Sequence, residues 1–141
     1  MILFYSETNF QLKQKRVYKK WLSAVAEAEG FRVGDLNYIF CDDAYLLELN
    51  QKYLNHDTLT DIITFDYVEG LLLSGDIFIS VERVRENASI FCVPFENELL
   101  RVLSHGVLHL CGYKDKTDKE AALMRQKEAS AIRLFSIDKL I

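Results

Sequence analysis

Proline occurs once and glycine six times in 141 residues, too few for a linker, a low-complexity tract or a collagen-like period. No internal repeat is visible, so solenoid and propeller architectures fall away. No apolar run approaches the ~20 residues of a membrane span. Met1 to Glu7 shows no basic stretch leading into an apolar one, so the chain is expected to be cytoplasmic and not membrane-bound. Cationic excess is also missing: 17 Lys and Arg stand against 21 Asp and Glu, a formal net charge of -4, which argues against gripping duplex DNA by global charge. Cys41, Cys92 and Cys111 are odd in number and form no CxxC pair, which fits reduced thiols and not a disulfide framework.

What is present suits one core. Half of the residues are hydrophobic and 12% are aromatic, enough apolar side chain for a single domain over residues 1–141. Ile2 to Tyr5 is a short apolar run that reads as a first strand. From about Asn9 to Glu29 the spacing of Val17, Trp21, Leu22 and Val25 predicts a helix that Gly30 stops. Lys13, Lys15, Arg16, Lys19 and Lys20 crowd its first half, either as a solvated face or as an RNA-contacting one. Leu36 to Cys41 reads as a strand, and Asp42 or Asp43 can cap a helix through Leu46, Leu47 and Leu49.

Asp61 to Val68 and Gly75 to Ser80 are rich in Ile, Phe and Thr and read as an antiparallel hairpin with an irregular loop. Ser80 then precedes Val81, Val84 and Ala88 at helical spacing. Pro94 suits the start of an apolar helix through Leu99, Leu103, Val107 and Leu110 to Gly112. Thr117 and Glu120 form a capping-box pattern before a closing helix with Leu123, Met124, Ile132 and Phe135. The expected fold is α+β: a single small domain with about four strands in a mixed sheet and about five helices.

Two of the three histidines, His105 and His109, lie four apart on the apolar helix, about 40° apart around its axis, so both imidazoles can face one point. Leu99, Leu103, Val107 and Leu110 project from the other side. Gly112 can end the helix and let Asp115 swing back as a third ligand. Two imidazoles and a carboxylate leave a coordination position for water, as catalytic zinc sites do. Cys111 points about 200° away from His109 and is a poor ligand candidate.

The run His105-Gly-Val-Leu-His109-Leu-Cys-Gly-Tyr113-Lys-Asp115 resembles the HGxLHLxGYDH signature of the YbeY family of bacterial endoribonucleases. Glu120 to Met124 matches its ExxxM, Leu49-Asn50 to Phe65 its LNxxYRxxxxxTDVLSF segment, and Gly75 to Ser80 its GDIxIS strand. The resemblance implies a zincin-like metal hydrolase with one zinc per chain on His105, His109 and Asp115. It also implies cleavage of single-stranded RNA in ribosomal RNA processing, including 16S rRNA 3′-end maturation, and in ribosome quality control. Single-stranded or ribosomal RNA and the small ribosomal subunit with its proteins are the implied partners. The alternative is a non-catalytic, zinc-containing ribosome-assembly or rRNA-binding factor.

Two positions depart from the family pattern. Asp-His becomes Lys114-Asp115, which exchanges an imidazole ligand for a carboxylate that zinc also accepts. The arginine after the family's tyrosine, thought to contact the RNA phosphate, is Leu54, and His56 or the cations of the first helix are candidates to replace its charge. Gly106 stands where HExxH peptidases carry their glutamate base, which argues against peptidase chemistry. Asp61, Asp76 and His56 are candidates for a base or phosphate-orienting group, although each has a plain structural role open to it. Tyr53 and Tyr113 could stack a nucleobase or simply pack. No residue is assigned as the general base.

Overall fold

Alternating strand and helix patterns become a four-stranded sheet flanked by helices in the computed structural model, which describes residues 1–54 and 60–140, with side chains through residue 135. In chain order the elements are β1 (Ile2–Ser6), α1 (Lys15–Ala28), β2 (Arg32–Cys41), α2 (Asp43–Leu54) and β3 (Ile62–Asp66). They continue with β4 (Leu72–Ser80), α3 (Val81–Ile90), α4 (Phe95–Leu110) and α5 (Asp118–Leu140). The sheet order is β1-β2-β4-β3, with β1, β2 and β4 parallel and β3 antiparallel to β4 at the edge. This is the α+β mixed sheet expected from the sequence.

The alternation along β2 and β4 sends Leu36, Tyr38, Phe40, Ile77 and Ile79 to one face, where they form the main core with Trp21 and Leu22 of α1 and Leu99, Leu103 and Val107 of α4. Ile63 on β3 faces the other way and makes a second, smaller cluster with Cys41 and Leu46 beneath α2. Two polar bonds lock the main layer. The Tyr38 hydroxyl donates to Leu103 O at 2.7 Å, and Trp21 Nε1 donates to Ala131 O at 2.7 Å. Both tie a fully buried ring to the backbone of a helix and satisfy that ring's one polar hydrogen.

Two boundaries and one burial pattern differ from the sequence reading. Helix α1 starts at Lys15 and not near Asn9, because Gln14 sits in the left-handed region at φ 56° and Leu12 is buried in the preceding segment. Lys13 therefore precedes the helix. Strand β2 begins four residues earlier than Leu36, with a register shift between Val33 and Leu36 that interrupts the alternating pattern. Helix α4 is also buried more fully than a two-faced pattern implies, since Leu100, Val102 and Leu108 are covered as well as the expected leucines. The caps follow expectation: Asp42 Oδ1 accepts from Tyr45 N at 2.8 Å, Ser80 Oγ from Arg83 N at 3.2 Å, and Pro94 is the residue before α4.

Candidate metal centre

His105 and His109 reach a common cleft because the helix that carries them is fixed at two points. The Tyr38–Leu103 bond holds it one half-turn before His105. At Gly106 the helix comes so close to the sheet that a Cβ would lie 2.8 Å from Ile77 Cδ1, so any larger residue between the two histidines would have to push the Ile77 side chain aside. A glutamate at this position would be driven into the core, which agrees with the absence of a peptidase-type base.

The turn after the helix is equally determined. Gly112 adopts φ 106°, Gly112 N donates to His109 O at 3.0 Å and Tyr113 N to Leu108 O at 3.1 Å, a glycine-terminated helix end. The Tyr113 hydroxyl donates to Glu29, whose other carboxylate oxygen accepts from Lys127 Nζ at 3.1 Å. The bond to Glu29 raises the Tyr113 phenol pKa, and the contacts with Tyr113 first and Glu29 second raise that of the Lys127 ammonium. Tyr113 is therefore an anchor for the turn. The reversal brings Asp115 Oδ2 to 3.4 Å from His105 Nε2.

The cleft so formed has a volume of about 780 Å³ and is lined on one side by Asp61 to Thr64 and Leu54, and on the other by Arg101, His105, His109, Asp115 and Lys116. The two imidazole rings are parallel within 4°, with centroids 6.4 Å apart. His105 is largely covered and His109 exposed. Among the described residues, no three His, Cys, Asp or Glu side chains are drawn together into a closed ligand set. The donor chemistry nevertheless fits a borderline-soft cation: two imidazoles and a carboxylate on one wall, with an acidic cluster behind them.

That acidic cluster is what sequence reasoning missed. His105 Nδ1 lies 2.6 Å from Glu128 Oε2, within hydrogen-bonding distance. Arg101, one turn before His105, donates to both carboxylate oxygens of Glu98, at 2.9 and 2.7 Å, and lies 3.4 Å from Asp61 and 3.5 Å from Glu128. The paired hydrogen bonds to Glu98 push the guanidinium pKa further up, against the opposing effect of burial, so Arg101 stays charged. A signal was available: Glu128 falls in the stripe of Met124, Ala131 and Phe135 that α5 buries, where a carboxylate needs a partner.

The other candidates separate. Asp61 lines the cleft and faces Arg101. Asp76 does not start its strand but sits within β4, where its Oδ1 accepts from Asn37 Nδ2 at 3.0 Å, and it does not line the cleft. Tyr53 is exposed and packs edge-on against Phe65. His56 lies outside the described residues. None of the five cations near α1 lines the cleft. Burial pushes the Cys41 and Cys111 thiols up to about 12, which keeps both protonated at neutral pH, whereas Cys92 is exposed.

The whole is an α+β domain with a histidine-bearing helix packed against a mixed sheet and a cleft at the antiparallel edge strand. The family model for Endoribonuclease YbeY matches residues 3–136. Proteins named Endoribonuclease YbeY from Flavobacterium psychrophilum and Flavobacterium johnsoniae are each 57% identical, over 97% and 99% of this chain and 98% and 100% of their own. One from Christiangramia forsetii is 51% identical over 98% of this chain and 96% of its own. The solution structure of TM1509 from Thermotoga maritima superposes with a TM-score of 0.68 at 32% identity, covering 96% of this chain and 89% of that one. The chain belongs to the endoribonuclease YbeY family.

Proposed function

We propose that this protein is a zinc-dependent endoribonuclease of single-stranded RNA, acting through one domain over residues 1–141. The ion is held by His105, His109 and Asp115. The observation that carries the reading is the approach of Asp115 Oδ2 to His105 Nε2 on the cleft wall that also bears His109, within a chain of this family. When bound, zinc supplies Lewis acidity toward a phosphoryl oxygen and activates water near neutral pH. The chain's own residues do the rest. His105 and His109 present nitrogen donors in parallel, Asp115 adds an anionic donor from the pinned turn, and Lys116 places a cation on the wall where a phosphate would lie. The open edge of β3 forms the opposite wall, along which an extended strand of RNA can run.

We place the activity in ribosomal RNA processing, including 16S rRNA 3′-end maturation, and in ribosome quality control in the cytoplasm, with the small ribosomal subunit as partner. In support, no helix among the described residues is long and apolar enough to cross a membrane. A specific observation favours a second reading, a zinc-containing rRNA-binding assembly factor without turnover. Leu54 lines the cleft in place of the family's arginine, and Arg101 is engaged by three carboxylates. Multiple-turnover cleavage of single-stranded RNA, assayed beside peptide substrates, separates the two. Cleavage of RNA alone that disappears in His109→Ala is expected; tight binding to the small subunit without cleavage would favour the assembly factor.

A further inference from the structure

His105 is held from behind. Its Nδ1 is 2.6 Å from Glu128 Oε2, a carboxylate on α5 that is only 3% exposed. An ionised carboxylate can only accept, so the imidazole proton on this side belongs to Nδ1. The same Oε2 lies 3.5 Å from Arg101 Nη1, appreciably farther than from the histidine. A bridge whose purpose was to join α5 to α4 would put the carboxylate on the guanidinium fork, yet that fork is taken by Glu98 at 2.9 and 2.7 Å. Glu128 is thus aimed at the ring, and Arg101 stands beside it as a charged brace.

The charge of the cluster points the same way. Glu98 and Glu128 share a single guanidinium behind the imidazole, which leaves an excess of one negative charge there, and Asp61 approaches the same guanidinium from across the cleft. Such an excess is unfavourable by itself and favours a cation at the far end of the ring. His109, one turn further on, is exposed, and no carboxylate bonds to its ring among the described residues. The two histidines therefore differ: one is oriented in advance and the other is free to adjust.

We propose that Glu128 is the positioning residue for His105. By accepting the Nδ1–H it fixes the tautomer whose Nε2 lone pair is bare and directed into the cleft toward Asp115, and Arg101, gripped by Glu98, keeps Glu128 in place. The proposal rests on the reading of His105 as a ligand, but its central element is a property of the metal-free chain. Carboxylate partners of this kind raise ligand basicity and prevent the ring from turning, and their loss weakens metal binding by roughly 10- to 100-fold.

The test uses the full chain with 15N-labelled histidine, freed of metal and held at about pH 9, where imidazoles are neutral. Wild type is expected to hold His105 as the Nδ1–H tautomer. Glu128→Ala should shift it to the Nε2–H form, with the His109 signals unchanged as an internal reference. Glu128→Gln keeps the shape and offers an amide oxygen, so it should retain the tautomer with a weaker bond, seen as an upfield move of the Nδ1 proton. Zinc affinity, read by competition with a chromophoric chelator, should fall ~10- to 100-fold in the alanine variant and less in the glutamine one. A purely structural role would lower the melting temperature and leave tautomer and affinity alone, and that result overturns the proposal. Should the alanine variant fail to fold, an unchanged Nδ1 proton and unchanged affinity in Glu128→Gln overturn it equally. Failure here refutes the positioning role only; wild type that binds no zinc refutes the ligand set itself.

Discussion

Replacing Arg101 by methionine keeps a long apolar stem in place and removes the one cation shared by Glu98, Glu128 and Asp61. Glu98 is 2% exposed and Glu128 is 3% exposed, so neither carboxylate can recover its hydration without local opening. Removing one partner of a buried ion pair costs about 3–5 kcal/mol, mostly the penalty of the uncompensated charge left behind. The Arg101 side chain is itself 32% exposed, which allows some water in and places the expectation at the lower end, about 3 kcal/mol. For a chain of this length that corresponds to a melting temperature lower by about 10 °C. Urea unfolding followed by circular dichroism measures it as a lower midpoint at unchanged slope. Glu98→Gln in the Arg101→Met background should return part of the loss, since it discharges one of the stranded carboxylates. A change below about 1 kcal/mol, or no recovery in the double variant, would show that the cluster is hydrated and that Arg101 does not hold it together.

Further expectations concern the cleft, the thiols and the last helix. Asp115→Ala should weaken zinc binding about as much as loss of either histidine, whereas Asp118→Ala, at the start of α5 and off the cleft wall, should leave it unchanged; isothermal titration with zinc distinguishes them. A thiol reagent at neutral pH should modify Cys92 rapidly and spare Cys41 and Cys111 in the native chain, counted by mass spectrometry. Because burial raises those two thiols from 9 to about 12, the unfolded chain ionises first. Their contribution to stability is intact below pH 9 and is lost progressively up to about pH 12, as alkaline denaturation should show. Thr117→Ala removes the acceptor for Glu120 N at 3.1 Å and should cost about 1 kcal/mol in thermal unfolding. The bond from Thr117 N to Glu120 lowers the Glu120 pKa, so this cap should also weaken as pH falls through that lowered value.

The parts of the molecule that follow local rules were legible in the sequence. The four-residue spacing of His105 and His109, the left-handed end at Gly112 and the Thr117–Glu120 box each depend on a handful of neighbouring residues, and each is found where expected. The paired β3 and β4 hairpin is likewise a local object. Misses occur where a distant element decides. Gln14 in a left-handed conformation delays α1, a backbone choice that helical periodicity does not register. The opening of β2 has no clean alternation because the strand is irregular there. Asp76 was a candidate base or phosphate-orienting group, but pairing with β2 makes it a mid-strand partner of Asn37. The Glu98–Arg101–Glu128 cluster joins α4 to α5 over a separation of 23 positions from His105 to Glu128, and only the packing of the two helices reveals it.

The most direct test of the account is the metal content of gently purified wild type beside His105→Ala, by elemental analysis. Close to one zinc per chain in the wild type and none in the variant is the result expected of a site built on His105, His109 and Asp115. Wild type free of metal, or a variant that retains as much as wild type, would contradict the ligand set and the hydrolytic chemistry drawn from it.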